Sequence, residues 1–261
     1  MNKEIMGEVA DIRRKGVPFY SNIYSFQIET IREFKKSENA LAVLVQDRDV
    51  KRVLFAACNL GELVDLIKDW PSGTGLDFLS KKDDESIFED SLKAAGFNPY
   101  AIYLKAENNK ISDTFPTLKS SKYEYDLCEA CLSEIKESDA DKIIEFLYEM
   151  FNPLTSHIEA KDEICSRIAR GDIVAHKENG KFTTLLTFNP KPKKLYMEHM
   201  LNRGDSKYMH LLYYYVLKKE VEKGITSVDT WIREGNERAF NFVKRYGLVP
   251  NGLRNYVFCK E

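Results

Sequence analysis

Apolar positions recur along this chain with two periods, and the two alternate. Over residues 26–36, Ile28, Ile31 and Phe34 fall at helical spacing and predict a helix. The apolar runs 40–45 and 53–58, parted by the polar Gln46-Asp47-Arg48-Asp49, predict a hairpin. Residues 60–70 place Leu63, Leu66, Ile67 and Trp70 on one helical face until Pro71-Ser72-Gly73 stops them. A short strand at 75–79, a helix at 86–95 ended by Gly96 and a strand at 100–106 follow.

Residues 107–122 lose all periodicity and are rich in Asn, Ser, Lys and Thr, the composition of a linker. The pattern then starts again. Residues 128–135 read as a strand, Ser138 opens a helix carrying Ile143, Ile144, Leu147 and Met150, and a helical run ends at Gly171. Two apolar runs, 173–176 and 182–188, flank Glu178-Asn179-Gly180-Lys181, and Asn-Gly between such runs is a strong short-range hairpin signal. A strand at 195–201, a helix at 208–223, a strand at 228–232, a helix from Asn236 stopped by Gly247 and a strand at 255–259 complete the chain. Residues 86–104 and 239–259 share one order: helix, Gly, apolar residue, strand. The expectation is an α/β fold with a mixed sheet in each of two related domains, residues 1–112 and 123–261, joined by a linker at 113–122.

Composition changes this picture little. The 261 residues suit one large or two ordinary domains, and 43% hydrophobic with 31% charged residues exclude a disordered or fibrous chain. Against 41 acidic residues the 39 basic ones are scattered, so nucleic acid is not expected as a partner. No window approaches a membrane span and the N-terminus lacks the apolar run of a secretory signal, so a cytoplasmic protein is expected. The five cysteines read as reduced thiols. Cys128-x-x-Cys131 lacks two further ligands at comparable spacing, so no metal is expected. Tyr213, Tyr214 and Tyr215 are consecutive on a helix and point in three directions, a pattern of packing plus surface rather than a stacking platform.

Asn202-Arg203-Gly204-Asp205-Ser206-Lys207 lies between a strand and a helix, where exposed N–H groups can hold a pyrophosphate. In strand 195–201, Glu198 shares a face with Tyr196 and Met200, and His199 one with Leu195, Met197 and Leu201, so strict alternation keeps Glu198 and His199 from lining one site.

The order of these pieces resembles the GNAT superfamily of acyl-CoA N-acyltransferases over residues 123–261, and the first half resembles a degenerate copy. Arg203 to Tyr208 falls where that family has Arg/Gln-x-x-Gly-x-Gly/Ala, and Asn236-x-x-Ala239 followed by Gly247-Leu248 falls where it has Asn-x-x-Ala and Gly-Phe. Ser206 and Tyr208 stand at the two small positions, and Val243 stands where the family often has an acidic Tyr. The resemblance implies tandem GNAT-like domains. It also implies acetyl-CoA as co-substrate, held by Met200, Leu201, Arg203, Gly204, Asp205, Ser206, Lys207, Tyr208, Asn236 and Ala239. It implies Glu198, or else His199, as general base and a small amine or amino-acid-like molecule as acceptor, with a homodimer as the compatible assembly. A non-catalytic acyl-CoA-binding protein and a two-domain aminoacyl or peptidyl transferase are the alternatives.

Overall fold

The structure is a computed structural model that describes residues 2–23, 30–81, 85–115, 125–156 and 158–261. The chain forms two compact units. The first comprises Met1–Tyr103, Pro153–Thr155 and Leu253–Glu261, and the second Leu104–Asn152 and Ser156–Gly252. Among the described residues no helix is long and apolar enough to cross a membrane.

The first unit opens with α1 (Asn2–Lys15) and the short β1 (Tyr20–Ser21), then β2 (Ile31–Lys36), β3 (Ala40–Asp47) and β4 (Val50–Ala57). Helix α2 (Leu60–Ile67) begins at Asn59, whose side chain accepts from the Glu62 N–H, and is followed by β5 (Thr74–Ser80), α3 (Glu85–Ala94) and β6 (Phe97–Asn108). Strands β2 to β4 are antiparallel neighbours, β4 and β5 are parallel, and β5 pairs antiparallel with 254–259 of the last strand, β11 (Val249–Lys260). Phe55, Leu63, Ile67, Trp70, Leu76 and Phe97 pack one face of this sheet; Ile5, Val9 and Ile12 of α1 cover Leu41, Val43 and Val45 on the other.

Two sequence expectations are corrected here. The helix expected at 26–36 is a strand at Ile31–Lys36, with 24–29 outside the described residues. Only three apolar positions supported helical spacing, whereas β3, buried along most of its length, requires a flanking partner whose exposed positions Arg32, Glu33 and Lys36 suit an outer strand. The strand expected at 128–135 is α5 (Tyr125–Ala130) and an irregular segment. Cys128 and Cys131 are buried while Leu127 is exposed, a three-residue spacing rather than an alternation. Burial pushes both thiols up to about 11, as expected of inert structural cysteines. Of the expected linker, Asp113 and Thr114 belong to α4 (Ile111–Thr114), and 116–122 lies outside the described residues.

The second unit continues with a 3-10 turn at Glu137–Asp139, α6 (Ala140–Met150) and α7 (Lys161–Arg170), the latter stopped by Gly171 at φ 74°. The hairpin β7 (Ile173–Glu178) and β8 (Lys181–Lys191) turns at Asn179 and Gly180, whose φ values of 51° and 75° are what a two-residue hairpin turn demands. Then come β9 (Lys194–Asn202), α8 (Ser206–Glu222), β10 (Ser227–Arg233) and α9 (Glu237–Lys244). The strand order is β10-β9-β8-β7, with the second half of β6 beside β10. Helices α6 and α7 cover one face through Ile143, Phe146, Ile164, Leu185 and Leu201. Helices α8 and α9 cover the other through Leu186, Met197, Val228, Tyr213, Val243 and Tyr246. All three consecutive tyrosines are buried, 0% to 9% exposed, because α8 is enclosed by α5 and the sheet rather than half solvated.

Gly247 ends α9 at φ 74°, and a Cβ there would lie 2.8 Å from Asn108 Nδ2, which donates to the Tyr246 carbonyl. Gly247→Ala is therefore expected to cost about 1–3 kcal/mol in urea unfolding, from the left-handed backbone and the displaced amide together.

Candidate functional site

The site is built on β9. Its register with β8 shifts between Thr187↔His199 and Phe188↔Met197, which leaves Glu198 as an extra residue, a β-bulge. The bulge changes what each side chain faces. Leu195 and Met197 point to the α8 side, Leu201 to the α6/α7 side, and Met200 packs against the α8 cluster. Glu198 pairs with Arg167 of α7, while His199 lies 4.9 Å from the Phe151 ring at the end of α6. Glu198 and His199 therefore address the same face, contrary to the alternation expected from sequence.

Their surroundings differ. Arg167, 5% exposed by side chain, stands between Glu198 and Glu159, with its Nε 2.6 Å from Glu159 and its Nη1 3.2 Å from the Phe188 carbonyl. Burial pushes the Glu159 carboxyl up, and Arg167 only partly offsets this. His199 is 5% exposed, its Nδ1 3.0 Å from Thr187 Oγ1, which also accepts from the His199 backbone N–H.

On its other edge β9 pairs with β10 over three positions only, Lys194↔Ser227, Leu195↔Val228 and Tyr196↔Asp229. Beyond them the parallel strands part, and 197–202 has no registered partner on that side. Successive N–H groups of a strand point to opposite edges, so half of those in 197–202 face the gap rather than β8.

Strand β9 leads into α8 through Arg203, Gly204 and Asp205. Asp205 is the N-cap, accepting from the Lys207 N–H at 2.9 Å; this bond holds its carboxyl below the usual range. The Gly204 N–H donates to Asn202 Oδ1 at 3.0 Å and the Arg203 N–H to the Thr183 carbonyl at 2.8 Å. The Arg203 side chain turns away to Glu149 at 2.5 Å, over the Phe146 ring. Tyr208 stacks on His176 at 3.6 Å between ring centroids.

A cavity of about 450 Å³, in the usual range for small-molecule sites, lies between the end of β9, the first turns of α8 and helix α9. It gathers Met200, Ser206, Asn236 and Ala239 of the expected cofactor residues. Leu201 is buried on the opposite face, and Arg203, Gly204, Asp205, Lys207 and Tyr208 do not line it. Sequence reasoning missed Met209 and His210 on α8, Arg238 and Phe242 on α9 and Arg245 at its C-cap, although helical spacing from Ser206 points to Met209 and His210 and from Ala239 to Phe242. Two arginines and no carboxylate line the cavity, so its field favours an anion.

No protein-family model matches the sequence, and no curated protein matches it. Solved structures do. A functionally unknown conserved protein from Staphylococcus epidermidis is similar with a TM-score of 0.53 at 7% identity, over 90% of this chain and 96% of that one. A GCN5-related N-acetyltransferase from Sphaerobacter thermophilus is similar with a TM-score of 0.52 at 12% identity, over 84% and 76%. An acetyltransferase assigned to the GNAT family from Novosphingobium aromaticivorans gives 0.53 at 11%, over 87% and 91%. This chain has the GNAT fold.

Within the GNAT fold, Asn236 caps α9 by accepting from the Ala239 N–H at 3.0 Å, so its spacing to Ala239 is a helix-capping geometry. Val243 is buried at 0% in the α8 core. The phenol of Tyr246 touches the cavity lining through His210, its Oη 3.1 Å from His210 Nδ1.

Proposed function

We propose that the chain is a cytoplasmic acyl-CoA-dependent N-acyltransferase, with acetyl-CoA as donor and a small amine as acceptor. The observation that carries this reading is the placement of the anion-favouring cavity beside the end of β9 that lacks a registered β10 partner, at the start of α8. Met200, Met209, Ala239 and Phe242 suit an apolar acyl-pantetheine arm, and Arg238 and Arg245 suit phosphates.

The gap connects the cavity's face to the face carrying Glu198, two residues beyond the last paired position. In the proposed reaction a neutral amine attacks the thioester carbonyl, the C–N bond forms and the C–S bond breaks. Glu198 takes the amine's proton, directly or through water, and the departing thiolate is protonated by solvent. Of the adjacent N–H groups at Met200 and Leu201, the one that faces the gap rather than β8 stabilises the oxyanion. His199, enclosed by Thr187 and Phe151, enters the proposal as packing.

The commitment of Glu198 to Arg167 favours a second reading, an acyl-CoA-binding protein without turnover. One experiment separates the two. Acetyl-CoA at about 100 times its Kd is expected to stabilise the chain by about 2.7 kcal/mol, roughly 5–10 °C in Tm. Thiol release against an amine panel is then expected for the wild type and reduced about 10²-fold or more in Glu198→Gln, with the Kd for acetyl-CoA unchanged. A thermal shift without thiol release leaves the binding reading; no shift overturns both.

A further inference from the structure

His210 is the one residue lining the α8/α9 cavity whose side chain ordinarily changes charge between pH 5 and 8. Its Nε2 lies 3.3 Å from Nη1 of Arg245, and its Nδ1 lies 3.1 Å from Tyr246 Oη. A guanidinium can only donate, so Nε2 is the acceptor and the proton of the neutral ring sits on Nδ1, donated to Tyr246. The Tyr246 hydroxyl in turn donates to the His210 carbonyl at 3.3 Å. Both ring nitrogens of His210 and the Tyr246 hydroxyl are thus satisfied within this trio with a neutral imidazole.

The groups facing His210 agree with that state. From α9 this is the Phe242 ring at 4.7 Å and from the turn that ends it Arg245 and Tyr246; Arg238 of α9, Met200 of β9 and Ser206 of α8 itself line the same space. No carboxylate lines the cavity. Burial first, and Arg245 second, hold the imidazole below its ordinary range. A phosphate entering beside Arg245 opposes both effects with its negative charge, because it draws the guanidinium to itself and offers an acceptor to a protonated Nε2.

We propose that His210 and Arg245 form a phosphate-binding pair, and that His210 takes up a proton when the phosphate enters, so that cofactor binding is proton-linked. This rests on the acyl-CoA reading above. In coenzyme A the phosphate is either the pyrophosphate or the ribose 3′-phosphate, and ligands lacking one or both distinguish them.

The test is titration calorimetry of the full chain with coenzyme A near pH 7, in two buffers of different ionisation heat, on wild type and His210→Gln. Glutamine can accept from Arg245 and donate to Tyr246, so the trio survives without a titrating group. The ligand's own phosphate ionisation is common to both proteins, and the difference reads His210 alone. The expected result is a fractional proton, on the order of half, taken up by wild type beyond that taken up by His210→Gln. The wild-type affinity is expected to rise about three- to tenfold from pH 8 to pH 6 relative to the variant. Loss of the extra uptake with dephospho-coenzyme A assigns the pair to the 3′-phosphate; its persistence there, with loss in pantetheine, assigns it to the pyrophosphate. Equal uptake in wild type and variant, or equal extra uptake with pantetheine, overturns the pair while leaving cofactor binding intact. If coenzyme A binds neither protein, the acyl-CoA reading falls and the pair falls with it.

Discussion

Replacing Arg167 by methionine is expected to destabilise the second unit by about 3–5 kcal/mol, the cost of removing one partner from a buried charge cluster. Arg167 is the cation shared by Glu159 and Glu198, and methionine fills part of its volume but leaves two carboxylates facing each other in a largely dry site. The pH dependence follows from the sign of the shift at Glu159, whose carboxyl is already raised by burial in the wild type. A carboxyl with a raised folded-state value contributes its stability fully below about pH 4, and that contribution is lost as pH rises through the raised value. Without Arg167 the upward push on Glu159 grows, so the deficit against wild type is largest near pH 8 and shrinks toward pH 5. Urea unfolding at the two pH values measures it. A deficit equal at both would assign Arg167 to packing rather than charge. Adding Glu159→Gln and Glu198→Gln to the methionine variant is expected to recover most of the loss at pH 8.

Ala239→Trp is expected to abolish useful acyl-CoA binding, with an affinity loss of about 100-fold, while leaving the fold in place. Ala239 lies on the first turn of α9 with its side chain toward the cavity, and its role in capping uses the backbone N–H, which tryptophan retains. An indole occupies much of a space of about 450 Å³ and forces any ligand to shift at a cost of about 3 kcal/mol, roughly two decades in Kd. Calorimetry with acetyl-CoA reads the loss, and a thermal melt of the free protein checks the fold. Tight binding by a folded tryptophan variant would exclude this cavity as the cofactor site.

Much of the architecture was legible because its signals are local. The Asn179-Gly180 turn, the Gly171 and Gly247 stops and the Asn236 cap each act between residues a few positions apart, and all four appear where the pattern placed them. The errors came where local pattern and tertiary surroundings disagree. Residues 31–36 carry too few apolar positions to decide between helix and strand, and the need of β3 for a neighbour decides it. Cys128 and Cys131 read as strand residues until α8 is in place to bury them at helical spacing.

The candidate site divides in the same way. The sequence by itself determined the strand, turn and helix that carry Glu198, Asp205 and Ser206, and the capped helix that carries Asn236 and Ala239, because propensity, capping and apolar spacing are short-range. Only the tertiary structure decided that Glu198 and His199 share a face, since the bulge that turns them arises from the pairing of β9 with β8. It also decided that Glu198 meets Arg167, 31 residues earlier, and that the end of β9, α8 and α9 enclose a cavity lined by His210 and Arg245. Those contacts depend on how distant segments meet, and no spacing within a single segment encodes them.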